Sequence, residues 1–185
     1  MNTFFQKFRF PLAIAFLVAL PFTWRFSSYL PITEGWTSAQ KFWFPLPLVN
    51  LAFHEAGHVI FGILGIRWIT VAGGTLMQLL IPLACLISFA RQDRWPGVGF
   101  CLFWIGTNFL DISLYAADAK IQVLILTTGM SGSEGGGHDW AYLLGSVGLT
   151  DHCIGIGQFI FWMGAFLMAF TVSWGFQSLW QKWTT

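Results

Sequence analysis

Two histidines and a glutamate lie close together in an apolar stretch of the chain, NLAFHEAGHVIF at 50–61. His54, Glu55 and His58 form the pattern H-E-x-x-H. On an α-helix, residues four apart share a face, so both imidazoles would point to one place. Imidazoles at this spacing are typical zinc ligands, and the glutamate beside them is typical of a general base. The pattern therefore predicts a zinc-dependent hydrolytic site.

The composition predicts that this site belongs to a membrane protein. Of the 185 residues, 56% are hydrophobic and 9% are charged, whereas soluble globular proteins carry about 25% charged residues. A charged group at membrane depth costs about 2.5 kcal/mol or more, which is tolerated where such groups pair or bind a metal. The net charge of +1 does not indicate a nucleic-acid partner. We therefore expect an integral membrane protein in contact with the lipid bilayer.

The apolar segments predict an all-α polytopic membrane protein with about five to six membrane helices in one domain, 1–185. We expect helices at about 11–26, 42–64, 75–90, 96–119 and 154–179, and an apolar piece at 140–149 that is too short to span a bilayer. The β-branched residues and glycine pair at 66–74 suggest a short hairpin. A glycine-rich loop covers 127–139. The helices between about 42 and 120 would form a three-helix core that holds the site.

A third zinc ligand must come from another helix. At 1.5 Å per residue, His54 lies about 18 Å along the second predicted helix and Asp111 about 21 Å along the fourth. These depths match if the two helices run in parallel, so Asp111 is the preferred third ligand. Asn108 precedes Asp111 by one turn and shares its face, so it could orient Asp111 or the substrate.

Three further residues are candidates for a contribution from the glycine-rich loop and its surroundings. Asp139 is a good N-cap for the following helix, and we favour that role. His138 fits equally a part in this cap or a place at the site as a ligand or oxyanion partner. Asp118 is expected to pair with Lys120 near the interface, and it is the next candidate ligand if Asp111 does not bind.

Taken together, these segments resemble the site-2 protease family of intramembrane zinc metalloproteases. The resemblance rests on HEAGH at 54–58, GTLMQ at 74–78 and NFLD at 108–111. It implies one zinc ion, peptide-bond cleavage in a single-span membrane substrate, and a protein of the bacterial inner membrane. The site residues that it implies are His54, His58 and Asp111 as ligands, Glu55 as the acid–base residue, and Asn108, Gln78 and Gly74 as positioning residues.

A second function stays open beside the protease. The chain is short and contains 11 Trp and 20 Phe, which also fits a catalytically inactive relative that serves as a structural or accessory subunit of a larger membrane complex. Stoichiometric copurification with large partners would favour the subunit. Cleavage that depends on Glu55 would favour the protease.

Overall fold

The computed structural model describes the backbone of residues 46–127, 129–135 and 137–184, and the side chains of residues 48–127, 129–135 and 137–175. Within these ranges the chain is all-helical and contains no β-strand. The helices are α1 at Leu46–Gly62, α2 at Arg67–Arg91, α3 at Trp95–Ala117, α4 at Asp139–Ser146 and α5 at Cys153–Thr184. Short 3-10 helices occur at Gly132–Glu134 and Thr150–His152.

Three helical segments are long and apolar enough to cross a membrane: Arg67–Arg91, Trp95–Ala117 and Thr150–Gly175. They are compatible with a membrane protein. The predicted count of five to six membrane helices is not confirmed, because the predicted helix at 11–26 and the start of the one at 42–64 lie outside the described residues. The segment predicted to be too short to span forms α4, which has 8 residues.

The predicted hairpin at 66–74 is wrong, because α2 already begins at Arg67. The reversal after α1 occurs at Gly65, whose φ of 69° is a left-handed conformation that glycine adopts readily. The β-branched residues at 69–71 have a slightly lower helix propensity, but propensity is a weak preference that tertiary packing overrides. Here the small residues Ala72, Gly73 and Gly74 are buried in α2, and their helical face packs against α1.

Helices α3 and α5 approach each other closely through small residues. A Cβ at Gly106 would lie 2.5 Å from Cγ of Met168, and a Cβ at Gly157 would lie 2.6 Å from the carbonyl oxygen of Ser113. Membrane helices associate through close packing rather than a hydrophobic drive, and small residues permit such backbone approach. This packing supports α3 on the side away from α1.

Polar side chains concentrate inside the helical bundle, and large apolar ones lie outside. Val59, Ile63 and Phe159 are 73%, 84% and 67% exposed. The buried polar residues of α1, α2 and α3, with the C-cap of α3, are Asn50, His54, Gln78, Asn108, Ser113 and Asp118, and α5 adds Thr171 and Ser173. Polar groups within membrane proteins characteristically face the bundle interior and mark functional positions. A functional site is therefore expected at the interface of α1, α2 and α3.

Candidate metal centre

Glycines at the crossing of α1 and α2 create the space for the two histidines. A Cβ at Gly57 would collide with the carbonyl group of Gly73, and a Cβ at Gly73 would lie 2.8 Å from the carbonyl oxygen of Gly57. At Gly74 a Cβ would lie 2.6 Å from Nε2 of His54 and 2.7 Å from Nε2 of His58. The backbone of α2 therefore lies directly against both imidazoles.

His54, His58 and Asp139 bring three metal-binding atoms together. Oδ2 of Asp139 lies 2.8 Å from Nε2 of His54 and 3.2 Å from Nε2 of His58. All three ligand atoms lie within 4.8 Å of one another. The His54 side chain is 9% exposed, whereas those of His58 and Asp139 are 24% and 17% exposed. The cluster is therefore shielded on the His54 side and accessible on the other.

The opposite nitrogen of each imidazole is also engaged. Nδ1 of His54 lies 2.8 Å from Oε1 of Gln78, and Nδ1 of His58 lies 2.9 Å from the carbonyl oxygen of Thr70. A backbone carbonyl can only accept, so Nδ1 of His58 must carry the hydrogen and donate it. When neutral, His58 then directs a lone pair from Nε2 towards the Asp139 carboxylate. Two acceptors at this distance repel each other unless a proton or a metal cation lies between them.

These ligand types fit zinc. Zinc takes imidazole nitrogen at about 2.0–2.1 Å and carboxylate oxygen at about 2.0–2.2 Å in a tetrahedral arrangement, so neighbouring ligand atoms stand about 3.3–3.5 Å apart. The spacings around Asp139 Oδ2, 2.8 and 3.2 Å, would have to open by a few tenths of an ångström, and the widest separation in the group, 4.8 Å, would have to close by more than one ångström. Nδ1–H groups that donate to carbonyl oxygens are the usual outer contacts of zinc-binding histidines. Three protein ligands would leave a fourth position for water or substrate.

Asp139 reaches the histidines from the first residue of α4. The expected N-cap role of Asp139 is wrong: His138 is the N-cap, and its Nδ1 accepts a hydrogen bond from the N–H of Ala141 at 3.1 Å. The Asp139 carboxylate is thereby left for the histidines. Burial by itself raises the pKa of Asp139, but hydrogen bonds with His54 and His58 outweigh burial and lower this pKa to about 2. The carboxylate is therefore ionised, as a metal ligand must be.

Asp118 is the C-cap of α3 and is fully buried. The expected pair with Lys120 is wrong, because Lys120 Nζ contacts Asp151 Oδ1 at 2.7 Å. Lys120 is exposed, so it pairs with another exposed side chain. Asp118 is inside the protein, where its Oδ2 lies 3.3 Å from Nε2 of His138.

Asp111 lies outside the group of three ligand atoms. Its Oδ2 accepts a hydrogen bond from Nδ2 of Asn50 at 3.0 Å, and Oδ1 of Asn50 accepts one from Nε1 of Trp104 at 2.7 Å. The ring of Tyr115, one turn after Asp111, lies 6.1 Å from the ring of His54, one turn after Asn50. Helices α1 and α3 therefore run in the same direction, but Asp111 is level with Asn50, about 6 Å along the helix from His54.

Some of the remaining predicted site residues contact the histidines, and the others lie away from them. Gln78 and Gly74 contact the imidazoles directly, as described above. Asn108 is fully buried, and its Nδ2 donates to the carbonyl oxygen of Trp104 at 3.2 Å. Glu55 lies on the exposed side of α1 and is not a member of the three-residue group.

The sequence interpretation missed three contributors to this region. The hydroxyl of Tyr115 accepts a hydrogen bond from the N–H of Asp139 at 3.0 Å, Asn50 joins α1 to α3, and Thr70 supplies a carbonyl oxygen. Asn50 could have been found, because it is a polar residue one turn before His54 on an apolar helix. Tyr115 follows Asp111 by one turn and carries a similar signal. Every residue has a backbone carbonyl, so the sequence cannot indicate which one contacts His58.

A scan of protein-family models and searches of curated proteins and of solved structures found no match to this chain. The likeness to site-2 proteases therefore remains a prediction from the motifs.

Proposed function

We propose that this chain is an intramembrane zinc metalloprotease of the kind the motifs resemble, with zinc held by His54, His58 and Asp139. One observation carries the proposal: Nε2 of both histidines and Oδ2 of Asp139 converge, although Asp139 lies 81 residues after His58 in the sequence. The Nδ1 contacts add support, because they direct Nε2 of His58 at the Asp139 carboxylate, where either a proton or a metal cation can lie between the two atoms.

A zinc ion at this site would polarise a substrate carbonyl and make a nucleophile of its bound water. Residues of the protein would orient the ligands and transfer the proton. Gln78 and the Thr70 carbonyl fix the orientation of the imidazoles through Nδ1. Glu55 adjoins His54 in the sequence and has an exposed carboxylate, so it can accept a proton from water and pass it to the leaving amine.

The proposed substrate is a peptide bond in a single-span membrane protein. Helix α1, which carries both histidines, and helix α2, which packs against them, present large apolar side chains outward. This fits a site reached from within or beside a lipid bilayer. We place the protein in the bacterial inner membrane on the strength of the family resemblance.

The second candidate is a catalytically inactive subunit of a larger membrane complex. The observation that favours it is the position of Glu55, which is not gathered with His54, His58 and Asp139. In that role the metal centre, or the bare cluster, would hold α4 against α1 and α2.

The metal content of purified protein tests the ligand set. Elemental analysis of the parent should give about one zinc per chain, and His54→Ala, His58→Ala and Asp139→Ala should each lose it. Asp111→Ala is the matched control, because it removes a partly buried carboxylate one turn away. Zinc lost from Asp111→Ala but retained by Asp139→Ala would restore the sequence-based choice of Asp111. A parent that takes up no zinc would overturn the proposal.

Proteolysis of a single-span test substrate in proteoliposomes distinguishes the two functions. Glu55→Gln keeps the shape of the side chain but cannot accept a proton, so this variant should retain zinc and lose cleavage. Cleavage by Glu55→Gln at the parent rate would contradict the role of Glu55. A zinc-loaded parent that copurifies stoichiometrically with large partners and cleaves nothing would favour the subunit.

A further inference from the structure

The carboxylate of Asp118 joins a segment that precedes the glycine-rich loop to the last residues of that loop. On the near side, its Oδ1 and Oδ2 each accept a backbone hydrogen bond at 3.0 Å, from the N–H groups of Val123 and Leu124. On the far side, Oδ2 lies 3.3 Å from Nε2 of His138. Both side chains of the Asp118–His138 pair are 0% exposed. The contacts of this pair therefore hold the segment before the loop and the end of the loop together inside the protein.

His138 uses both ring nitrogens, and their roles are fixed. Nδ1 accepts a hydrogen bond from the backbone N–H of Ala141, so Nδ1 carries no hydrogen. The hydrogen of a neutral ring is then on Nε2 and points at the Asp118 carboxylate. One imidazole thus caps α4 and ties its first turn to the end of α3.

The loop between these anchors contains the 3-10 helix at Gly132–Glu134 and a bridge between Ile125 and Ser131. Gly129, Gly135 and Gly137 all have positive φ angles, and glycine loses more backbone freedom on ordering than any other residue. His138 directly precedes Asp139, so the contacts of its ring help to hold the backbone from which the Asp139 carboxylate extends.

We propose that the buried Asp118–His138 pair sets the affinity of the metal centre by holding Asp139 against His54 and His58. The inference rests on the proposed metal centre and adds two positioning residues to it. Neither residue is a ligand. Outer contacts of this kind typically change metal affinity by about 10- to 100-fold.

Two substitutions of His138 separate this role from simple helix capping. In His138→Asn, the short side-chain oxygen occupies the place of Nδ1 and can still cap α4, but the side chain does not extend to Asp118. In His138→Gln, the longer side chain places an N–H near the position of Nε2, which keeps the contact with Asp118 and loses the cap. If the contact between Asp118 and His138 sets the affinity, His138→Asn should bind zinc more weakly. If capping of α4 alone sets it, His138→Gln should bind zinc more weakly.

Asp118→Asn provides an independent variant. An amide in this position retains one oxygen. If that oxygen faces Leu124 and His138, the NH2 group opposes the N–H of Val123, and the neutral oxygen is a weaker acceptor for Nε2–H of His138 than the carboxylate. In the other orientation the NH2 group faces Nε2, and no tautomer of His138 then satisfies both the amide and the N–H of Ala141. We expect a loss of zinc affinity similar to that in His138→Asn. Asp151→Asn is the matched control, because it removes the exposed Asp151–Lys120 ion pair and should leave affinity unchanged.

The experiment is zinc titration of the full-length protein in detergent, in competition with a chromogenic chelator, together with the thermal midpoint of the zinc-free protein. We expect a dissociation constant about 10- to 100-fold higher in His138→Asn and Asp118→Asn, with His138→Gln closer to the parent. A purely structural role would lower the thermal midpoint of the zinc-free protein and leave the dissociation constant unchanged.

Parent-like affinity in His138→Asn and Asp118→Asn, or a loss confined to His138→Gln, overturns this inference and leaves the metal centre intact. A parent that binds no zinc overturns the metal centre itself, and the inference with it.

Discussion

An alanine at position 74 would place a methyl group against both imidazoles of the proposed metal centre. The added Cβ would lie 2.6 Å from Nε2 of His54 and 2.7 Å from Nε2 of His58, whereas comfortable heavy-atom contacts are about 3.5–4.0 Å. The ligand nitrogens would have to move by roughly an ångström, yet metal–ligand distances tolerate only about 0.2 Å. Overpacking of this kind costs about 1–3 kcal/mol. If that cost falls on the zinc-bound state, zinc affinity drops about 5- to 150-fold.

The assay is zinc affinity of the purified Gly74→Ala protein, measured by competition with a chelator, alongside its thermal midpoint without zinc. Gly155→Ala is the matched control, since a Cβ at Gly155 in α5 meets no heavy atom of the described residues within 4 Å. This control should bind zinc like the parent. Zinc binding by Gly74→Ala at parent affinity would refute the close approach of α2 to the histidines. Equal losses in both variants would mean that affinity reports general damage to the helices.

Other substitutions probe the contacts around the centre. Gln78→Leu removes the acceptor for Nδ1 of His54 and should weaken zinc binding about 10- to 100-fold in the same titration; unchanged affinity would show that Gln78 does not orient the ring. Tyr115→Phe removes a hydrogen bond to the backbone of Asp139, worth about 0.5–1.5 kcal/mol, so affinity should fall about 2- to 10-fold, and a larger fall would indicate a direct role for the hydroxyl. Asn50→Leu removes the side-chain bridge between α1 and α3, and the thermal midpoint should fall by an amount equivalent to about 1–3 kcal/mol. An unchanged midpoint would show that the bridge does not contribute to stability.

Much of the helical architecture could be predicted from the sequence. Apolar runs fixed α3 at Trp95–Ala117, close to the predicted 96–119, and the main part of α5. The start of α2 could not be predicted, because the β-branched residues and glycine pair at 66–74 favour a hairpin locally. Packing of Gly73 against Gly57 extends the helix through that segment. Such contacts depend on a partner helix that local propensity does not contain.

The sequence by itself determined that His54 and His58 share one face, because a four-residue spacing on a helix needs no partner to align them. It also identified Gly74 and Gln78 as positions near the site. Only the tertiary structure decided which carboxylate meets the histidines. The register of α1 against α3 places Asp111 one turn away from His54, and helix ends predicted from a sequence can be wrong by that distance. The return of the glycine-rich loop then brings Asp139 to the histidines, because His138 caps α4 and is anchored on Asp118 inside the protein.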